Sequence, residues 1–200
     1  EAFRGGSLAQ PTLALTSLIF VALGAWMIGD SRTSLRARLL LGATTVAVGV
    51  GSFLGHAGSD NGGRTIDSLS IKMLVSAFLI YGLVRRLGRD DRLLWPWWAA
   101  VAGPLIAAEL VWPVTARPLL GLITAGAAVT AWLAVESRDG RRRLAASLSV
   151  FGLGLVAFWA GRAESSLCSP ESVLQLHGLW HILAAMGIAF TYSAYRNEAA

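Results

Sequence analysis

The chain carries very little charge. Only 14% of its 200 residues are Asp, Glu, Lys or Arg, against 54% hydrophobic. Soluble globular chains hold about 25% charged residues, so composition excludes a soluble domain. Lysine is nearly missing: Lys72 stands alone among 17 basic residues. The net charge of +5 gives no case for nucleic acid, because the arginines sit in short loops between apolar runs, where membrane topology accounts for them. Cysteine is reduced to Cys168, which excludes an intrachain disulfide framework. The opening Glu1-Ala2-Phe3-Arg4 lacks the basic start and cleavage pattern of a signal peptide, and none is expected there. No internal repeat or low-complexity linker breaks the chain.

What is present is apolar length. Runs at 12–29, 38–56, 67–85, 93–112, 116–135, 143–162 and 174–194 each approach the roughly 20 residues that cross a hydrocarbon core. They predict an all-α polytopic membrane protein, a single seven-transmembrane-helix bundle over residues 1–200. The second run is rich in Gly and Ala (Gly42, Gly49, Gly51), and the fifth repeats this with Gly121 and Gly126. Both stretches are expected to pack helix against helix closely, since small residues let backbones approach in lipid. The loops after the first, third and fifth runs, with Arg196 after the seventh, hold twelve arginines; Arg4, Arg64, Arg117 and Arg162 lie on the other side. The positive-inside rule then puts the C-terminus in the cytoplasm and the N-terminus outside.

Polar groups are few and concentrated. Ser52 and His56 close the second run at a spacing of i and i+4, which sets them on one helix face. Asp67 opens the third run. His177 and His181 open the seventh, again at i and i+4. With the orientation above, all five lie toward the outer side. A histidine at a membrane interface is often only an amphipathic side chain, and an HxxxH pair without a Glu is a weak metal signal. The conjunction says more, because no histidine is left for another role and none falls on the arginine-rich side. Three imidazoles from two helices suffice for zinc of the catalytic type, with a fourth position left to water. Imidazole also suits Cu, Ni and Fe, so zinc rests on redox-neutral hydrolysis being the chemistry. Asp67 fits an outer-shell acceptor for a ligand histidine, or a base for the water.

The pattern Gly-Ser52-x-x-x-His56, ten residues, Asp67, and a late His177-x-x-Trp180-His181 resembles the alkaline ceramidases. These belong to a superfamily of seven-helix membrane hydrolases that includes the adiponectin receptors. Gly187 after the last histidine pair, Phe158-Trp159 near the end of the sixth run, and Gln10-Pro11 followed by Thr16-Ser17-Leu18 extend the likeness, the last of these to bacterial members. The resemblance implies a zinc-dependent amidohydrolase in a bacterial inner membrane, cleaving ceramide to sphingosine and a fatty acid. It implies His56, His177 and His181 as zinc ligands, Asp67 on the proton of the attacking water, and Ser52 supporting the metal site or the developing oxyanion. Many bacteria make no sphingolipids, so the lipid partner extends to other N-acyl lipids or an ester. Eukaryotic members bind calcium through an acidic, Asn-containing N-terminal segment. Here only Glu1 is acidic in that region, and Pro11 and Leu18 stand where related chains place Glu and Asn, so calcium is the weaker of the two cofactor expectations.

Two rival readings use the same bundle. A non-enzymatic receptor or binding protein with a structural metal predicts a filled fourth position or no route for substrate. A transporter fits less well, because the polar residues are off-centre and paired helix interruptions are lacking. Elsewhere, Lys72 is expected to pair with Glu109 or Asp67, or to snorkel outward. Trp95, Trp97 and Trp98 read as an interfacial aromatic belt. The loop 58–63 reads as a turn or a gate beside the site. Cys168 reads as an unpaired bystander or, less readily, a fourth ligand that would close the site.

Overall fold

The computed structural model describes residues 8–58, 61–162, 165, 167, 172 and 175–198; Glu1, Arg4, Glu164 and Cys168 lie outside them. Seven α-helices follow in order: α1 (Pro11–Gly29), α2 (Leu35–Ala57), α3 (Asn61–Arg86), α4 (Leu94–Val111), α5 (Ala116–Ala134), α6 (Arg138–Ala160) and α7 (Leu176–Glu198). Among the described residues there is no strand. Six of the helices are long and apolar enough to cross a membrane. The one outside that set, α7, is diluted by His177, Trp180, His181, Tyr192 and Tyr195. The chain is an integral membrane protein of the all-helical, seven-helix kind.

Local chemistry explains the helix ends. Pro11 starts α1, where its fixed φ suits the first turn and its missing N–H is not needed. Ser34 and Ser137 accept hydrogen bonds from Ala37 N–H at 3.2 Å and Gly140 N–H at 3.0 Å, capping α2 and α6. These caps start both helices before their apolar runs and carry Arg36, Arg38 and Arg141–Arg143 in helical backbone. Gly88 adopts φ 58°, a left-handed stop that turns Arg89 N–H back to Val84 O at 3.0 Å and ends α3. The start of α3 departs from expectation. It begins at Asn61, so Asp67 lies within the helix instead of opening it. Gly62-Gly63 does not break the helix there, because Gly63 is a contact point: a Cβ on it would lie 2.7 Å from Leu54 O. Of the expected 58–63 turn, Asn61–Gly63 is therefore helix, and residues 59 and 60 lie outside the described residues.

The helices are arranged as an open band. α7 packs against α6 and α1, α1 against α2, and α2 against α3, which carries α4 and α5. α5 makes only marginal contact with α4, α6 and α7. The glycines of α2 serve both of its neighbours. A Cβ on Gly42 would lie 2.8 Å from Gly24 O in α1, and one on Gly51 would lie 2.7 Å from Ser70 Oγ in α3. The parallel expectation for α5 holds only on its α3-facing side, where a Cβ on Gly82 would lie 3.0 Å from Thr130 C. Gly121 has nothing within 4 Å and Gly126 meets only Leu79. α5 rests mainly on α3: Gly121, Ala125 and Ala128 face outward, while Ala127, Ala131 and Ala134 pack inward.

The arginine-rich end is tied by polar contacts: Arg196 to Asp30 at 3.3 Å, Tyr192 to Thr33 at 2.9 Å, and Glu198 to Ser137 N–H at 2.9 Å. Of the tryptophans beginning α4, Trp95 is exposed as a belt residue would be. Trp98 instead donates Nε1–H to Met73 O at 3.0 Å, stitching α4 to α3. Gly42→Val should lower the stability of the detergent-solubilised protein by about 1–3 kcal/mol, the usual cost of overpacking. Gly121→Ala should leave it unchanged or raise it by about 0.5–1 kcal/mol, since helix-interior Gly is unfavourable relative to Ala. Thermal unfolding followed by circular dichroism checks both.

Candidate metal centre

The last turn of α2 and the first turns of α7 end side by side, and each brings its histidines inward. Ligand-capable nitrogens of His56, His177 and His181 all lie within 4.8 Å of one another. The three ring centroids form a nearly equilateral triangle with sides of 5.1, 5.2 and 5.3 Å. His181 is 3% exposed. His56 Nε2 is buried and makes no hydrogen bond to any described residue. A buried polar atom without a partner is costly in protein and more so in lipid. Three imidazoles converging with an unpartnered nitrogen fit a single divalent ion of the kind imidazole binds, zinc included. Among the described residues this group contains no carboxylate or thiol.

Asp67 and Ser52 stand beside the triangle without belonging to it. Gly55 makes the approach of α3 possible: a Cβ there would lie 3.1 Å from Asp67 Cβ. Ser52 faces the Asp67 carboxylate, whose Oδ1 is buried and makes no hydrogen bond. The Ser52 hydroxyl is 3.1 Å from that of Ser17, on α1. All five residues singled out in the sequence thus gather at one end of the bundle.

Sequence reading missed the part played by α1, which supplies no histidine. Gln10 Oε1 lies 2.9 Å from His56 Nδ1, and Thr16 Oγ1 lies 2.9 Å from His181 Nδ1. His177 is held differently, edge-on to the Phe158 ring at 5.3 Å. The available signal was the pair Thr16-Ser17 inside an otherwise apolar helix, since polar side chains at that depth need a partner.

Lys72 is 1% exposed and pairs with Glu109 at 2.6 Å, with Ser68 Oγ a further 2.9 Å contact. Of the options open in the sequence, the Glu109 pairing is the one formed, and it ties α3 to α4. Lys72 does not snorkel, because α4 covers it and brings the counter-charge.

A model of the Ceramidase family matches residues 7–197, nearly the whole chain. No curated protein matches it. The chain belongs to the ceramidase family.

The buried pair generates a double-mutant test. Lys72→Met alone should destabilise strongly, by about 3–5 kcal/mol, because it strands Glu109 as an unpaired buried charge. Lys72→Met combined with Glu109→Leu should recover most of that loss. Unfolding in mixed micelles reads both variants against wild type.

Proposed function

We propose that this member of the ceramidase family is a zinc-dependent membrane amidohydrolase that cleaves the N-acyl bond of ceramide or a related lipid amide. The products are a long-chain amine and a fatty acid. Family membership supports lipid-amide hydrolysis as the reaction class. One observation carries the finer reading: three imidazoles in a triangle, with a buried carboxylate and a hydroxyl next to it.

His56, His177 and His181 would hold the ion as neutral ligands. Bound zinc supplies polarisation of the amide carbonyl and a water that ionises near neutral pH. Asp67 would take a proton from the attacking water at Oδ1, which makes no hydrogen bond to any described residue. It then returns the proton to the leaving nitrogen, so that water is divided between acid and amine. Burial of Asp67 Oδ1 keeps solvent from competing for that proton. The Ser52 hydroxyl holds the carboxylate in place or donates to the oxygen that becomes negative in the tetrahedral state.

The arginine bias supports an orientation with the C-terminus cytoplasmic and the histidines toward the outer leaflet. A substrate with a polar head and two chains suits a centre just beneath headgroups.

His181→Ala should abolish both bound metal and turnover. Asp67→Asn should keep the metal and lose about 10²–10⁴-fold in turnover, the usual worth of a positioned proton-transfer group. Metal content by mass spectrometry and hydrolysis of fluorescent ceramides and other N-acyl lipids measure the two effects. Full activity without metal would sink the mechanism. Bound metal with no turnover on any N-acyl lipid would favour the receptor reading instead.

A further inference from the structure

Two of the three imidazoles in the triangle contact α1 or the residue that caps it, each through Nδ1. We infer that residues 9–16 form a positioning clamp: Gln10 and Thr16 fix His56 and His181 as Nδ1–H tautomers, so that both present Nε2 to a metal. This rests on the zinc reading above for its consequence, though not for its geometry.

The proton assignments follow from what each partner can do. An amide oxygen only accepts, so in the 2.9 Å contact with Gln10 Oε1 the hydrogen belongs to His56 Nδ1. A neutral imidazole protonated at Nδ1 has its lone pair at Nε2. That is the nitrogen of His56 that is buried with no hydrogen bond to any described residue. Thr16 reaches the same result differently. Its hydroxyl lies 2.9 Å from Thr12 O and 3.1 Å from Leu13 O, two acceptors that claim its one proton. Thr16 Oγ1 is then an acceptor toward His181 Nδ1 at 2.9 Å. Ser17 Oγ lies 3.5 Å from the same nitrogen.

Gln10 grips His56 at two points. Its side chain takes Nδ1, and its backbone N–H donates to His56 O at 2.9 Å. Ala9 N–H donates to Ala57 O at 2.9 Å in the next register. The strap before α1 is therefore bound to the end of α2 by main chain, which leaves the Gln10 amide little freedom to turn. Six residues on, Thr16 faces α7. One short segment thus sets the ring orientation of one histidine from each of the two helices that supply them. Partners of this kind on metal-binding histidines typically matter 10–100-fold in affinity.

The test uses the full chain in detergent with zinc alone as the probe, titrated against a competing chelator. Gln10→Met and Thr16→Val should each weaken zinc about 10–100-fold. Gln10→Glu and Thr16→Ser, which keep an acceptor oxygen, should restore binding to near wild type. Wild-type affinity in Gln10→Met and Thr16→Val, alongside loss of zinc in His181→Ala, would overturn the clamp while leaving the zinc reading intact. If wild type itself holds no zinc, the zinc reading fails. The clamp is then decided by imidazole 15N spectra of the metal-free protein. These should show Nδ1–H tautomers at His56 and His181 that Gln10→Met and Thr16→Val respectively release. Nε2–H tautomers at both in wild type would refute it.

Discussion

No described residue offers His56 Nε2 a hydrogen bond, and two more imidazoles stand within 5.3 Å of that ring, centroid to centroid. An apolar bundle gains nothing from such a meeting by itself. Polar atoms withdrawn from water cost free energy unless something satisfies them, and lipid supplies no water to do so. Much of the nearby structure follows from accommodating these rings. α2 ends where α7 begins, α3 comes close enough to bring Asp67 alongside, and α1 is inserted between α2 and α7 as the source of hydrogen-bond acceptors. The three imidazoles form a group that could hold a metal ion, and this links the fold to the proposed chemistry.

Close approach is what permits that accommodation. Lipid gives helices no hydrophobic reason to associate, so contact depends on backbone reaching backbone. α2 meets this on two faces. Gly42 and Gly49 let α1 in, and a Cβ on Gly49 would stand 2.7 Å from Val21 N and 3.2 Å from Ser17 O. Gly51 and Gly55 let α3 in on the other side. Gly42 and Gly49 thus seat the helix that carries Thr16 against α2. On the far side of α3, the Lys72–Glu109 pair supplies the directional contact to α4.

Much of this was legible in the sequence for physical reasons. Six of the helices are long and apolar enough to cross a membrane, and such runs have few other uses. Histidines at i and i+4 share a face whatever surrounds them, so both HxxxH and Ser52-x-x-x-His56 could be placed correctly in advance. Boundaries were less legible where polar residues lie in helical backbone beyond the apolar core. Arg64 and Thr65 hid the first turns of α3, and the serine caps carried α2 and α6 back into arginine. The Gly/Ala stretch of α5 looked like that of α2, but composition does not say which face a neighbour occupies. The part played by α1 stayed hidden for a related reason. Gln10, Thr16 and Ser17 are ordinary residues until α2 and α7 bring the histidines to them, and that convergence is a tertiary fact.

The central claim is a single ion held by three imidazoles with one position left for water. X-ray absorption at the zinc edge, on protein purified without chelator, addresses it most directly. The account predicts one zinc with a first shell of three imidazole nitrogens and one light oxygen ligand. A fourth protein ligand such as sulfur, or protein that retains no zinc at all, would contradict it.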